Sequence, residues 1–185
     1  MTRFQHHMAH GWTLLEALVV LALMAALTAL AAPALTQFRQ KHQMQSQGER
    51  LLASLMLARS EALRRQQRVT LCVRGSDERC ASEGSWGQGW LVFVDANDNA
   101  SLDAQEQVLQ VQGGVPVFLK LQGNAMVNRY VSFGAQGRSQ TTTGAFQAGT
   151  LTLCRPGQTD IWRVVINAVG KPRLETAVTP EPGDC

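Results

Sequence analysis

Acidic and amide side chains between positions 95 and 106 have the spacing of a calcium-binding loop. The six oxygen-bearing residues stand at loop positions one, three, five, seven, nine and twelve: Asp95, Asn97, Asn99, Ser101, Asp103 and Glu106. An EF-hand loop uses these positions for Ca²⁺ but needs glycine at the sixth, which here is Ala100. Because Asp and Asn also dominate ordinary turns, we expect neither a metal nor any cofactor, and calcium remains the alternative.

Four cysteines could form disulfides: Cys72, Cys80, Cys154 and Cys185. In an exported chain an even set predicts two bridges, whereas in a cytosolic protein these would be unrelated buried thiols. Cys72 and Cys80 flank the turn-rich segment "VRGSDER", and a bridge between Cys154 and the terminal Cys185 would hold the tail. Of the three pairings possible, we favour Cys72 with Cys80 and Cys154 with Cys185.

The residue types needed for catalysis are poorly placed. All four histidines, His6, His7, His10 and His42, lie near the N-terminus, ahead of the β-rich region. No G-x-S-x-G or phosphate-binding glycine motif is present in the sequence. Since histidine is the commonest general base, the chain is predicted not to be an enzyme.

The formal net charge of +3 hides a separation along the chain. Residues 39–68 and 120–173 are rich in Arg and Lys, whereas residues 75–106 are rich in Asp and Glu. The region after residue 68 is therefore expected to carry one acidic and one basic surface.

The element that precedes this region is a long helix. Residues 17–35 contain Thr28 as their one polar side chain, and such a length can cross a bilayer. The following segment places apolar residues at helical spacing, namely Leu51, Leu52, Leu55, Ala58, Ala62 and Leu63. We therefore expect a helix from Thr13 to about Gln67, with bends at Pro33 and Gly48.

Glu16 stands at the front of the apolar run, where a charge is costly without a partner. Gly11 followed by "WTLLE" resembles the processing site of type IV prepilins and of type II secretion pseudopilins. The resemblance implies that a prepilin peptidase cuts after Gly11 and methylates Trp12, which replaces the usual phenylalanine. Glu16 and Pro33 then occupy the family's fifth and twenty-second mature positions.

The resemblance also gives Glu16 a role in filament assembly. Its carboxylate would neutralise the new α-amine, on its own chain or a neighbouring subunit, which offsets part of both desolvation costs. It implies a leader at residues 1–11, a transmembrane helix at 12–35, an amphipathic continuation at 36–68 and a head at 69–185. The alternative is conventional signal cleavage near Ala32, which would release a calcium-dependent or adhesive soluble domain.

The sequence of the head predicts antiparallel β structure. Short β-rich runs separated by turns follow Arg68: "RVTLCV", "GWLVFVD", "QVLQV", "PVFLKL", "RYVSFG", "GTLTLCR" and "DIWRVVINAVG". One long helix packed on such a head is an α+β, pilin-like fold. The segment from Trp86 through Trp90 into the Asp/Asn-rich turn resembles the GspH/FimT family of minor pseudopilins, and we expect both tryptophans to be core residues rather than a ligand platform.

Some FimT-like proteins carry a Gly-Arg-x-Arg motif that binds DNA, and Gly170, Lys171 and Arg173 resemble it. Lys171 replaces the first arginine, so it keeps the charge without the bidentate fork. Arg155 and Arg163 are candidates for the same double-stranded DNA surface, with Arg138, Arg129 and Lys120 as extensions. The alternative is a hairpin turn with solvated charges.

The sequence thus predicts a minor pilin or pseudopilin that initiates or caps a filament. The expected location is the inner membrane, in a single pass, with the leader in the cytoplasm and the head in the periplasm or at a pilus tip. The expected partners are other pilins through the N-terminal helix, the prepilin peptidase, the membrane and, for FimT-like members, DNA for natural transformation. A type IV pilus and a type II secretion system both remain open, and the basic C-terminal half favours the pilus.

Overall fold

One long helix and two antiparallel sheets make up residues 13–177, which are the residues that the computed structural model describes. Helix α1 spans Leu14–Arg65 and runs unbroken through Pro33 and Gly48. The strands are β1 (Val69–Val73), β2 (Gly89–Val94), β3 (Val108–Gly113), β4 (Lys120–Gly123), β5 (Tyr130–Phe133), β6 (Gly149–Cys154), β7 (Ile161–Ile166) and β8 (Pro172–Ala177). This confirms the predicted α+β arrangement.

The chain divides into two units, the first ending at His42 and the second beginning at Gln43. In the first unit every side chain described between residues 13 and 39 is exposed. Thr13 caps the helix, since its Oγ1 accepts a hydrogen bond from the backbone N–H of Glu16 at 3.2 Å.

In the second unit α1 supplies one wall of the core. Leu51, Leu55, Ala58 and Ala62 are each fully buried, as their helical spacing predicts. Leu63, which the same pattern includes, is instead 41% exposed. Gly48 has a packing role, because a Cβ atom there would lie 3.2 Å from Cδ1 of Leu174 on β8.

The strands form two four-stranded antiparallel sheets, in the orders β3-β2-β1-β5 and β4-β6-β7-β8. Alternate residues of both sheets join the helix in the main core, among them Leu71, Trp90, Val131, Leu153 and Val164. Trp86 and Trp90 are both fully buried, so they are core residues, as expected.

Two details of the strands differ from the sequence prediction. The run "PVFLKL" does not begin a strand at Pro116, because Pro116–Leu119 forms a turn in which Leu119 N–H donates to the Pro116 carbonyl at 2.8 Å. The last predicted run ends at β7, and a turn at residues 167–171 leads into the additional strand β8. Pro172 is tolerated because it is the first residue of that strand.

Candidate functional site

The first part of α1 has the length and composition of a membrane span. The helix reaches a mean hydropathy of 2.4 over its most apolar stretch, and 0% of that stretch is buried inside the structure. By length and composition alone, such a helix can cross a bilayer. The predicted cleavage residues Gly11 and Trp12 lie outside the described residues, whereas Pro33 lies within α1.

Glu16 is in the first turn of α1, and its side chain is exposed. Within residues 13–177 its carboxylate forms no hydrogen bond or ion pair. An acidic residue in this turn interacts favourably with the positive end of the helix dipole. The sequence contains a signal for this local role, since Thr13 followed three residues later by Glu16 is a capping pattern. The sequence prediction did not use this signal.

Two loops cover the face of the first sheet that points away from α1. Cys72 and Cys80 form a disulfide, and the Leu102 N–H donates to Cys80 Sγ at 3.3 Å. Leu91 and Phe93 are buried in a small cluster that Cys80 and Leu102 also join. The bridge therefore fixes the 72–80 loop against the 95–106 loop.

Cys154 is also disulfide-bonded, and its predicted partner Cys185 lies outside the described residues.

The side chains of residues 95–106 that are spaced like calcium ligands form hydrogen bonds mainly within their own loop. Buried Asp95 accepts hydrogen bonds from the N–H groups of Asn99 and Ala100, both at 3.0 Å, and from Thr70 Oγ1 at 2.8 Å. Glu106 accepts from the N–H groups of Ala96 at 2.8 Å and Asp103 at 3.0 Å. Among residues 13–177 no group of three or more His, Cys, Asp or Glu side chains is placed to hold a metal.

Asp103 completes this internal network. The Asn97 and Asn99 side-chain amides donate to its Oδ2 at 2.8 and 2.9 Å, and these bonds, that from Asn97 most strongly, lower the pKa of Asp103 below its ordinary value. Hydrogen bonds within the loop thus hold it as an Asx-rich turn.

Two of the predicted basic residues are brought together by a backbone contact. Gly170, with φ of +77°, lies against residues 137–139, and a Cβ atom there would stand 3.0 Å from the Arg138 Cα. Lys171 follows directly and is exposed, as is Arg138. Neither side chain has an acidic partner within residues 13–177. Arg138 and Lys171 thus form a cationic pair.

The other predicted basic residues are placed differently. Arg173 is paired with Glu175, and Arg163 faces Glu175 across the β7–β8 register. Arg155 and Lys171 lie at opposite ends of β7. Arg155 directly follows Cys154, which pairs with Ile161 at the start of β7, whereas Lys171 adjoins the end of β7. Lys120 also pairs with Cys154, so it lies at the Arg155 end of the sheet. Arg155 and Arg163 both interact with other residues.

A groove borders the cationic pair. Phe146 and Val169 are among its lining residues and are 69% and 62% exposed. Ser139, Gln140 and Arg138 line it as well, and it encloses about 470 Å³. The sequence did not predict this groove, because the hairpin carrying Phe146 and the turn carrying Val169 meet only in the folded chain.

Comparison with known proteins identifies relatives of the second unit and its fold. The family model for the type II transport protein GspH matches residues 47–170. A crystal structure of the type IV minor pilin FimU from Pseudomonas aeruginosa aligns with a TM-score of 0.58 and 24% identity, covering 75% of this chain and 92% of that one. No curated protein sequence matches the chain.

A second group of solved structures shares the fold at lower identity. The minor pseudopilin EpsH from the type II secretion system of Vibrio cholerae aligns with a TM-score of 0.51 and 14% identity, covering 77% of this chain and 98% of that one. The match to FimU and EpsH agrees with the predicted pilin-like fold. These relatives are structural subunits, in agreement with the interpretation that the chain is not an enzyme.

Proposed function

Because this chain belongs to the GspH family of type II transport proteins, we propose that the apolar part of α1 anchors it in the inner membrane. The chain is a minor pilin or pseudopilin subunit of a type IV pilus or a type II secretion system, and such subunits assemble with other pilins. The observation that carries the proposal is the exposed, apolar first part of α1, in which Glu16 has no partner within the described residues.

We place the processing site between Gly11 and Trp12. The prepilin peptidase removes residues 1–11 on the cytoplasmic side and methylates Trp12, while the head stays in the periplasm. The disulfide between Cys72 and Cys80 supports a periplasmic head, because disulfides persist in oxidising compartments.

Glu16 then acts between subunits. A carboxylate inside a bilayer costs about 2.5 to 3.5 kcal/mol on the insertion scale, and a neighbouring subunit's α-amine offsets part of that cost. Pairing of the two charges sets the register of adjacent helices. A subunit docked in this way initiates or caps the filament.

Intact mass and cell fractionation test the anchored state. We expect the natural chain in the membrane fraction, starting at methylated Trp12 and retaining all of α1. A Gly11→Val variant should stay in the membrane with its leader uncut. A soluble periplasmic species that begins after about Ala32 would contradict the proposal and support the secreted domain.

A second function, DNA binding by the head, is favoured by the cationic pair. Arg138 and Lys171 are exposed on adjoining turns and have no acidic partners in the described residues, which leaves both charges available to phosphates. Arg173 contributes less, since Glu175 already neutralises it. Binding through such a surface is sequence-independent and falls steeply with salt. This surface would serve DNA capture for natural transformation.

Duplex binding by the full chain in nonionic detergent tests this function. We expect a salt-sensitive gel shift that Arg138→Ala and Lys171→Ala each weaken, and Arg173→Ala to have a smaller effect. Arg79→Ala removes an exposed arginine from the acidic loop region and is the matched control. Absence of any shift at low ionic strength would disprove DNA binding and leave the filament role intact.

A further inference from the structure

The groove beside the cationic pair is built between two short turns. Residues 140–146 form a hairpin in which the Thr141 N–H donates to the Ala145 carbonyl at 2.7 Å and Gln140 pairs with Phe146. The β7–β8 turn is tied to the same region, because the Ser139 hydroxyl donates to the Asn167 carbonyl at 2.9 Å. The two turns therefore meet at the groove that Phe146 and Val169 line.

An exposed phenylalanine here is not explained by folding. Phe146 is 69% exposed and belongs to neither buried cluster of the described residues. Its neighbours in the groove include apolar Val169 and the half-buried, polar Gln140, whereas Ser139 is buried with its hydroxyl on the Asn167 carbonyl. An aromatic face beside a polar side chain suits a flat ring that carries hydrogen-bonding groups along its rim.

The positive charge beside the groove favours flat rings that carry a negatively charged group. Arg138 is part of the groove lining, and Lys171 adjoins Gly170 at the same turn. Both are exposed cations without an acidic partner in residues 13–177. Cations beside an aromatic platform are the arrangement by which proteins hold unpaired nucleotides, with the base stacked and the phosphate neutralised.

We propose that this groove binds an unpaired nucleotide of a nucleic acid, with the base stacked on Phe146 and the adjoining phosphates on Arg138 and Lys171. This inference rests on the nucleic-acid binding proposed above. Bases inside a duplex are stacked on each other and cannot enter a groove. The groove and the cationic pair together therefore bind single strands, overhangs or frayed ends more tightly than intact duplex.

Fluorescence anisotropy with the full chain in nonionic detergent tests the preference. The probes are a labelled single-stranded oligonucleotide and the duplex of the same sequence, each at low and moderate salt. Phe146→Ala should weaken single-strand binding about tenfold, the loss expected for one stacked base, and leave duplex binding unchanged. Phe146→Trp should retain the preference, and Val117→Ala, at a fully exposed residue outside the groove, should change neither.

The possible failures are distinguishable. Duplex binding without a single-strand preference, or a preference that survives Phe146→Ala, overturns the groove proposal alone. If neither probe binds, the nucleic-acid function fails with it. If Phe146→Ala leaves nucleic-acid binding unchanged but reduces incorporation into filaments, the groove holds a protein partner and the proposal is wrong.

Discussion

Gly170 lies so close to Gly137 that a Cβ atom at position 170 would stand 2.2 Å from the Gly137 carbonyl oxygen. Gly170 also has a φ of +77°, a region that other residues adopt only with strain. This contact places Lys171 beside Arg138. The cationic pair therefore depends on a glycine that carries no functional group.

Gly170→Ala is expected to lower the free energy of unfolding by about 2 to 4 kcal/mol, because backbone strain and a clash with the backbone of Gly137 add. Gly144→Ala is the matched control, since Gly144 also has a positive φ, +83°, but a Cβ atom there would meet nothing within 4 Å. That variant should lose only about 1 kcal/mol. Thermal unfolding of both full-length variants in detergent gives the comparison, and equal losses would show that the Gly137 contact is unimportant.

Two buried tryptophans should respond differently to phenylalanine. Trp86 Nε1 donates to the Val127 carbonyl at 2.8 Å, so Trp86→Phe leaves a buried acceptor unpaired. The unpaired acceptor lowers the free energy of unfolding by about 1 to 3 kcal/mol, in addition to the loss caused by the smaller ring. Trp90 Nε1 is buried without a hydrogen-bond partner, and Trp90→Phe removes an unsatisfied donor. Chemical denaturation should find Trp86→Phe the less stable variant, and the reverse order would contradict the hydrogen-bond assignment.

Glu61 gives the last turn of α1 a defined pH dependence. Arg64 and Arg65 donate to its carboxylate at distances down to 2.6 Å, and these hydrogen bonds, that of Arg64 first, lower the pKa of Glu61 from 4.5 to about 2. A lowered pKa means that the contribution to stability is complete above the unfolded pKa and disappears as pH falls through the folded pKa.

The melting temperature of Glu61→Gln should therefore fall below that of the natural chain at neutral pH. The difference should shrink as pH falls below about 4.5 and disappear as pH falls through the folded pKa of about 2. In a chain that already carries Arg64→Ala and Arg65→Ala, the same substitution should have little effect at any pH. A difference that persists in that background would assign the effect to another contact.

Periodicity was enough to predict the main elements of the fold. Leu51, Leu55, Ala58 and Ala62 recur at helical spacing and are buried, because a helix that packs on sheets must bury one face. The errors arose where local composition and tertiary pairing disagree. Val117 and Phe118 have strong β propensity, but the turn that begins at Pro116 keeps them out of a strand.

The candidate sites were predictable only where one segment supplies all their parts. The capping of Glu16 by Thr13 and the 95–106 loop are both encoded within a few residues. The pairing of Lys171 with Arg138 depends instead on contact between two turns that are distant in sequence. Phe146 gave no sequence signal, because its exposure follows from a hairpin that directs it away from the core.

The most direct test of the filament account is the incorporation of Glu16→Ala into assembled filaments. Glu49→Ala is the control, since Glu49 is an exposed acidic residue on the same helix, beyond the apolar part. Both variants should reach the membrane in normal amounts. We expect Glu16→Ala to lower the subunit content of purified filaments about tenfold or more, because a charge pair in low dielectric is lost, whereas Glu49→Ala should leave it unchanged. Normal incorporation of Glu16→Ala would contradict the account.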